Sequence, residues 1–157
     1  MNKQEGFTLI ELMITIAILA IVLSIAIPSF NNMLLNNRIS TTAHEVHAAM
    51  QIARSEAVQR KKTITVCRAD AAFTQCEDGA DWAQGWLLVF GDEVLKVWQP
   101  RSGLEVTGPA AGIEFLGSGM SRGENSVSIQ GQGCPNGVKQ EVRVIRTGNV
   151  RLEKGSC

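Results

Sequence analysis

From Phe7 to Ile27 the chain runs for 21 residues with only Thr8, Glu11, Thr15 and Ser24 interrupting an apolar sequence. As a helix rising 1.5 Å per residue this stretch would be about 31 Å long, which matches the hydrocarbon thickness of a bilayer. A helix in a soluble core is apolar along one stripe, whereas this one would be apolar all round, so the sequence predicts insertion into a membrane. The 157 residues leave room for one ordinary domain beside that helix. They exclude a multidomain enzyme or a polytopic membrane protein.

A secretory signal peptide cut near Ser24 and Ala26 would contain a similar apolar run. Two features oppose that reading. The leader Met1–Gly6 holds one Lys and one Glu in place of a basic cluster, and Glu11 stands five residues into the run. An intramembrane carboxylate costs roughly 2.5–3.5 kcal/mol on insertion scales, so it is expected to serve a function and to seek a cation. Between Lys3 and Arg38 there is no Lys or Arg to supply one. A backbone amine would do so if the chain were cut just before Phe7.

After Pro28 apolar residues recur at three- and four-residue steps, at Ile39, Ala43, Val46, Met50, Ala53 and Ala57. That period predicts one helix from about Phe7 to Arg60, amphipathic in its second half. Pro28 removes a backbone donor and is expected to bend or locally melt it. Beyond Lys62 the period becomes two, with strand-like runs at 63–68, 85–90, 94–99, 113–116, 126–130, 140–146 and 150–152. Turn signals separate them, among them Gly91-Asp92, Gly108-Pro109, Gly117-Ser118, the 131–137 stretch and Gly148-Asn149. The expected fold is α+β: a long helix on a mostly antiparallel sheet region, with residues 29–157 outside the membrane.

Gly6-Phe7-Thr8-Leu9-Ile10-Glu11-Leu12, the apolar run and Pro28 resemble the class III signal sequence of type IV pilins and type II secretion pseudopilins. The resemblance implies cleavage after Gly6 by prepilin peptidase and methylation of the new Phe7 amine. It also implies that residues 1–6 are a leader peptide, that 7–28 form the transmembrane and filament-core helix, and that Glu11 neutralises the Phe7 amine of a neighbouring subunit. The protein would sit as a single-pass protein of the inner membrane, its C-terminal domain in the periplasm, and then join other minor and major pilins in an extracellular pilus, at its tip. Further along, Ala53-Arg54-Ser55-Glu56-Ala57, the strand ending in Cys67, and Gly85-Trp86 through Phe90 resemble the FimT/GspH branch of minor pilins and pseudopilins. In the residues' own terms, Ala53, Ala57 and Trp86 are packing positions, and Arg54 with Glu56 reads as a solvated helix end.

Cys67, Cys76, Cys134 and Cys157 are even in number and lie outside the apolar segment, as in an oxidising compartment. Three pairings are open. Cys67–Cys76 with Cys134–Cys157 is favoured, since the first closes a short loop and the second pins a terminal residue. Their spacing does not suit a zinc site, and His44 and His47, one turn apart, read as surface residues. No nucleophile with its base, paired carboxylates or phosphate-binding glycine loop stands out: Gly117, Gly119 and Gly123 follow a strand but precede no helix, and Ser55 lacks an elbow context. Neither an enzyme nor a cofactor is expected.

The net charge is zero but unevenly spread: residues 54–68 carry +4, 69–136 carry −6 and 137–157 carry +3. Arg143, Arg146, Arg151 and Lys154 supply the basic C-terminus and are candidate DNA contacts, with salt-dependent phosphate binding as the mechanism. With strand period two, Arg146 would share a face with Val142 and Val144, and Arg143 with Ile145. Some FimT proteins resemble this chain and bind DNA through a C-terminal Gly-Arg-x-Arg motif. The matching stretch is Gly148-Asn149-Val150-Arg151, in which only Gly148 and Arg151 carry over. The resemblance as a whole implies a minor pilin that helps initiate or cap a type IV pilus, supporting twitching, adhesion and DNA uptake; a GspH-like pseudopilin of type II secretion and a FimT-like DNA-binding subunit are the alternatives.

Overall fold

A computed structural model of the chain describes residues 7–99, 101–135 and 137–157. The chain divides into two compact units, residues 1–35 and 36–157. The first consists, over its described part, of the beginning of a 52-residue helix, α1 (Leu9–Arg60), which is unbroken at Pro28. The expected local melting at that proline is therefore not seen.

The second unit begins in the amphipathic half of α1. Ile39, Thr42, Ala43, Val46, Ala49, Met50, Ala53 and Ala57 form its buried stripe, none more than 2% exposed. Two four-stranded antiparallel sheets complete it. The first holds β1 (Ile64–Arg68), β2 (Trp86–Phe90), β3 (Glu93–Trp98) and β5 (Ile113–Phe115), in the order β3-β2-β1-β5. The second holds β4 (Leu104–Thr107), β6 (Asn125–Gly131), β7 (Val138–Val144) and β8 (Val150–Ser156), in the order β4-β6-β7-β8. Their inward residues, including Ile64, Val66, Trp86, Leu88, Ile113, Phe115, Val127, Ile129, Val142 and Val144, complete the core with the helix stripe.

β2 buries Trp86, Leu87, Leu88 and Val89 in succession, because the sheet is covered on both faces. On the face away from Trp86, Cys67, Ala69, Leu87 and Val89 form a second cluster, closed by Phe73 and Val94. Phe73 belongs to the loop that the Cys67–Cys76 disulfide closes. A second disulfide joins Cys134, between β6 and β7, to the terminal Cys157.

The loop after β1 is folded around one carboxylate. Asp70 accepts hydrogen bonds from the Gln75 and Thr74 backbone N–H groups at 3.1 and 2.7 Å and from the Thr74 hydroxyl at 3.0 Å. These donors, the Gln75 N–H foremost, hold the Asp70 carboxyl below its ordinary value of 3.8. A depressed carboxylate pKa contributes stability that is present above the unfolded-state value and is lost as the pH falls through the folded one. Stability should therefore be insensitive to this group above about pH 5 and fall below about pH 4. In acid titration followed by tryptophan fluorescence, Asp70→Asn is expected to show a shallower loss than the parent; superimposable acid limbs would contradict this.

Candidate functional site

Within the N-terminal unit the helix start is specified locally. Thr8 lies just before α1; its hydroxyl accepts from the Glu11 backbone N–H at 3.3 Å and donates to the Glu11 carboxylate at 3.4 Å. Ser/Thr-x-x-Glu is a capping pair, and a carboxylate in the first turn also complements the positive end of the helix dipole. The Thr8-x-x-Glu11 spacing is the signal that could have placed this start, which the apolar pattern alone puts at about Phe7. It explains why α1 starts at Leu9 and not at Phe7, and it leaves the Glu11 carboxylate exposed.

Every residue from Phe7 to Leu34 is exposed, and the apolar ones among them include Phe7 (78%), Leu9 (76%) and Ile25 (70%). The most apolar 18-residue window has a mean hydropathy of 2.7, and α1 is long and apolar enough to cross a membrane. Leaving this surface in water would cost about 25 cal/mol for each Å² of it, so only lipid or other apolar helices suit it. Gly6, the expected cleavage position, lies outside the described residues.

In the C-terminal unit Arg54 is exposed, as expected of a helix end, but it also makes two contacts across the fold. Its Nε donates to the Gly119 carbonyl at 3.0 Å and its Nη2 to the Thr147 carbonyl at 3.4 Å, so one side chain of α1 holds two loops. Gly148 is buried beneath it with φ of +77°, and a Cβ there would lie 1.8 Å from the Gly119 oxygen. Glycine in the matched C-terminal motif is thus required by packing. Glu56 bonds Arg60 one turn on, at 2.8 Å.

The four candidate DNA contacts are not gathered into one patch. β7 ends at Val144, so Arg146 lies in the connection to β8, exposed, and does not share the Val142–Val144 face. The expected strand 140–146 is shifted because the β6 and β8 partners pair with 138–144. Arg143 stands opposite Arg151 on the solvent face of the second sheet, next to the row Glu141–Glu153. Both acids reach Arg143, at 3.5 and 3.7 Å. Lys154 pairs with the buried Gln140, on the other face. Two arginines offset by two glutamates make a weak phosphate surface.

Of the two histidines, His44 is exposed, and His47 Nε2 lies 3.4 Å from Gln51 Nε2. Among the described residues no cluster of three or more metal-ligating side chains occurs.

Residues 42–152 match the family Type II transport protein GspH, and residues 1–27 match the prokaryotic N-terminal methylation motif. The chain belongs to the GspH family. Its fold is that of the type IV minor pilin FimU of Pseudomonas aeruginosa, with TM-scores of 0.58 and 0.60 in two crystal structures; the first is 22% identical and spans 73% of this chain and 91% of that one. The minor pseudopilin EpsH of the Vibrio cholerae type 2 secretion system also superposes, with a TM-score of 0.53, 16% identity and coverage of 74% and 96%. Among sequence relatives, a fimbrial protein of Pseudomonas aeruginosa is 37% identical over 65 residues, 41% of this chain and 42% of that protein. The type IV major fimbrial protein FimA of Dichelobacter nodosus is 35% identical over 85 residues, 54% and 44%. The chain thus matches less than half the length of either fimbrial protein.

Proposed function

We propose that this GspH-family chain is a minor pilin: a structural subunit, cleaved after Gly6, that enters a type IV pilus through α1 and helps initiate or cap its assembly. The observation that carries the reading is the apolar surface of Phe7–Ile27, exposed throughout and bearing one ionisable side chain, Glu11. Before assembly lipid covers that surface, with the C-terminal unit in the periplasm; afterwards the helices of neighbouring subunits do. Glu11 then meets the methylated Phe7 amine of a neighbour, and Pro28 gives α1 a weakened point at which to adapt to the bundle. Twitching, adhesion and DNA uptake would depend on the subunit through the filament.

Type II secretion is the second reading, favoured by the family match over residues 42–152. Deleting the gene separates the two. Loss of surface pili and twitching with secreted exoproteins unchanged is the expected result; intact piliation with lost secretion would transfer the subunit to the secretion system.

A further inference from the structure

The C-terminal unit carries few exposed large apolar side chains, and two of them meet at one place. Val58 is 48% exposed on α1, and Met120 is 48% exposed in the loop that Arg54 holds. They flank Gly119, whose added Cβ would lie 2.9 Å from Val58 Cγ2. Beside them opens a cleft of about 390 Å³ walled by Gln51, Ser55, Val58 and Gln59 of α1 and by Asn149 and Val150 at the start of β8. Among the described residues β8 is the terminal strand of its sheet, paired with β7 alone over all seven residues, and the Cys134–Cys157 disulfide fixes its far end.

An unpaired, pre-ordered strand edge beside a groove lined with amides and a hydroxyl is the geometry that accepts an extended peptide by strand addition: main-chain hydrogen bonds supply affinity, and an apolar floor takes an alternate side chain. Ordering the edge in advance lowers the entropy lost on binding. Among the described residues the charged side chain that lines the cleft is Arg54; Arg146 and Arg151 lie exposed on either side of Asn149-Val150, and the nearest acid along β8, Glu153, is paired with Arg143 at 3.7 Å. We infer that this cleft docks an extended segment of another filament subunit, one that carries an Asp or Glu and adds to the β8 edge. The inference rests on the filament reading, of which it specifies one contact.

The test uses the full chain in the bacterium that makes it, with a photo-crosslinking amino acid at Gln51 and, separately, at Ile14 in the apolar helix. The expected result is that Gln51 captures another pilin or pseudopilin subunit, and that peptide mapping of the adduct finds an extended segment bearing an acidic residue. Val58→Glu should lower the adduct yield at least about tenfold by placing like charges together, and clearly further than Val58→Lys, which removes the same apolar wall without the repulsion, at equal membrane levels of protein. Capture at Ile14 without capture at Gln51 overturns the docking site and leaves the filament reading standing. Absence of subunit adducts at both positions overturns the two together. Adducts to DNA at Gln51, or equal loss from the two Val58 variants, would also sink the inference.

Discussion

Replacing Gly148 with Ala should lower the unfolding free energy by on the order of 4 kcal/mol, a large share of the roughly 5–15 kcal/mol typical of a domain. Two effects add. With φ of +77° the backbone is left-handed, which costs about 1–2 kcal/mol once a Cβ is present. The Cβ would also stand 1.8 Å from the Gly119 oxygen, a separation that only displacement of a backbone loop can relieve. Displacement pulls the Gly119 and Thr147 carbonyls from Arg54, and hydrogen bonds to charged groups contribute about 1.5–3 kcal/mol each when well buried, less when exposed as here. Gly91→Ala is the control, since φ is +57° there and nothing lies within 4 Å of the added atom. It should cost only about 1 kcal/mol. Denaturant unfolding read through Trp82, Trp86 and Trp98 measures both, and equal effects would remove the packing argument.

The second large effect is expected at Glu11 and concerns assembly, not folding. In lipid an unpaired carboxylate costs roughly 2.5–3.5 kcal/mol, and a neighbour's terminal amine would recover that energy only in the filament. Glu11→Ala should therefore leave the membrane level of the protein unchanged or raised while its recovery in sheared filaments falls on the order of a hundredfold. Glu11→Gln, which keeps shape and the Thr8 cap but not the charge, should behave alike. Normal incorporation of either variant would mean that the Glu11 charge is not needed for assembly; among the described residues its side chain bonds Thr8.

Much of the molecule could be read from local pattern. The period of three and four in α1 corresponds to its buried stripe, and the continuous apolar run at Trp86–Phe90 to the most buried strand. β4 was not foreseen: Leu104–Thr107 is a four-residue edge strand, too short for alternation to stand out, and its pairing with β6 supplies what the sequence lacks. β8 extends to Ser156, beyond the expected 152, because β7 and the Cys157 disulfide hold residues such as Gly155 that have little strand preference of their own. The roles of Arg54 and Gly148 depend on carbonyls 65 and 93 residues away from Arg54, which no local pattern can place. The same holds for the dispersal of Arg143, Arg146, Arg151 and Lys154, since strand register decides which face each one takes.

The account rests on a new amino terminus at Phe7, the cation without which Glu11 is an uncompensated charge in an apolar helix. Intact-mass and amino-terminal peptide spectrometry of the protein purified from the bacterial envelope measures it directly. The expected species begins at Phe7 and carries one added methyl group on its amine. A chain that retains Met1–Gly6, or one that starts downstream near Ser24 or Ala26, would contradict the account.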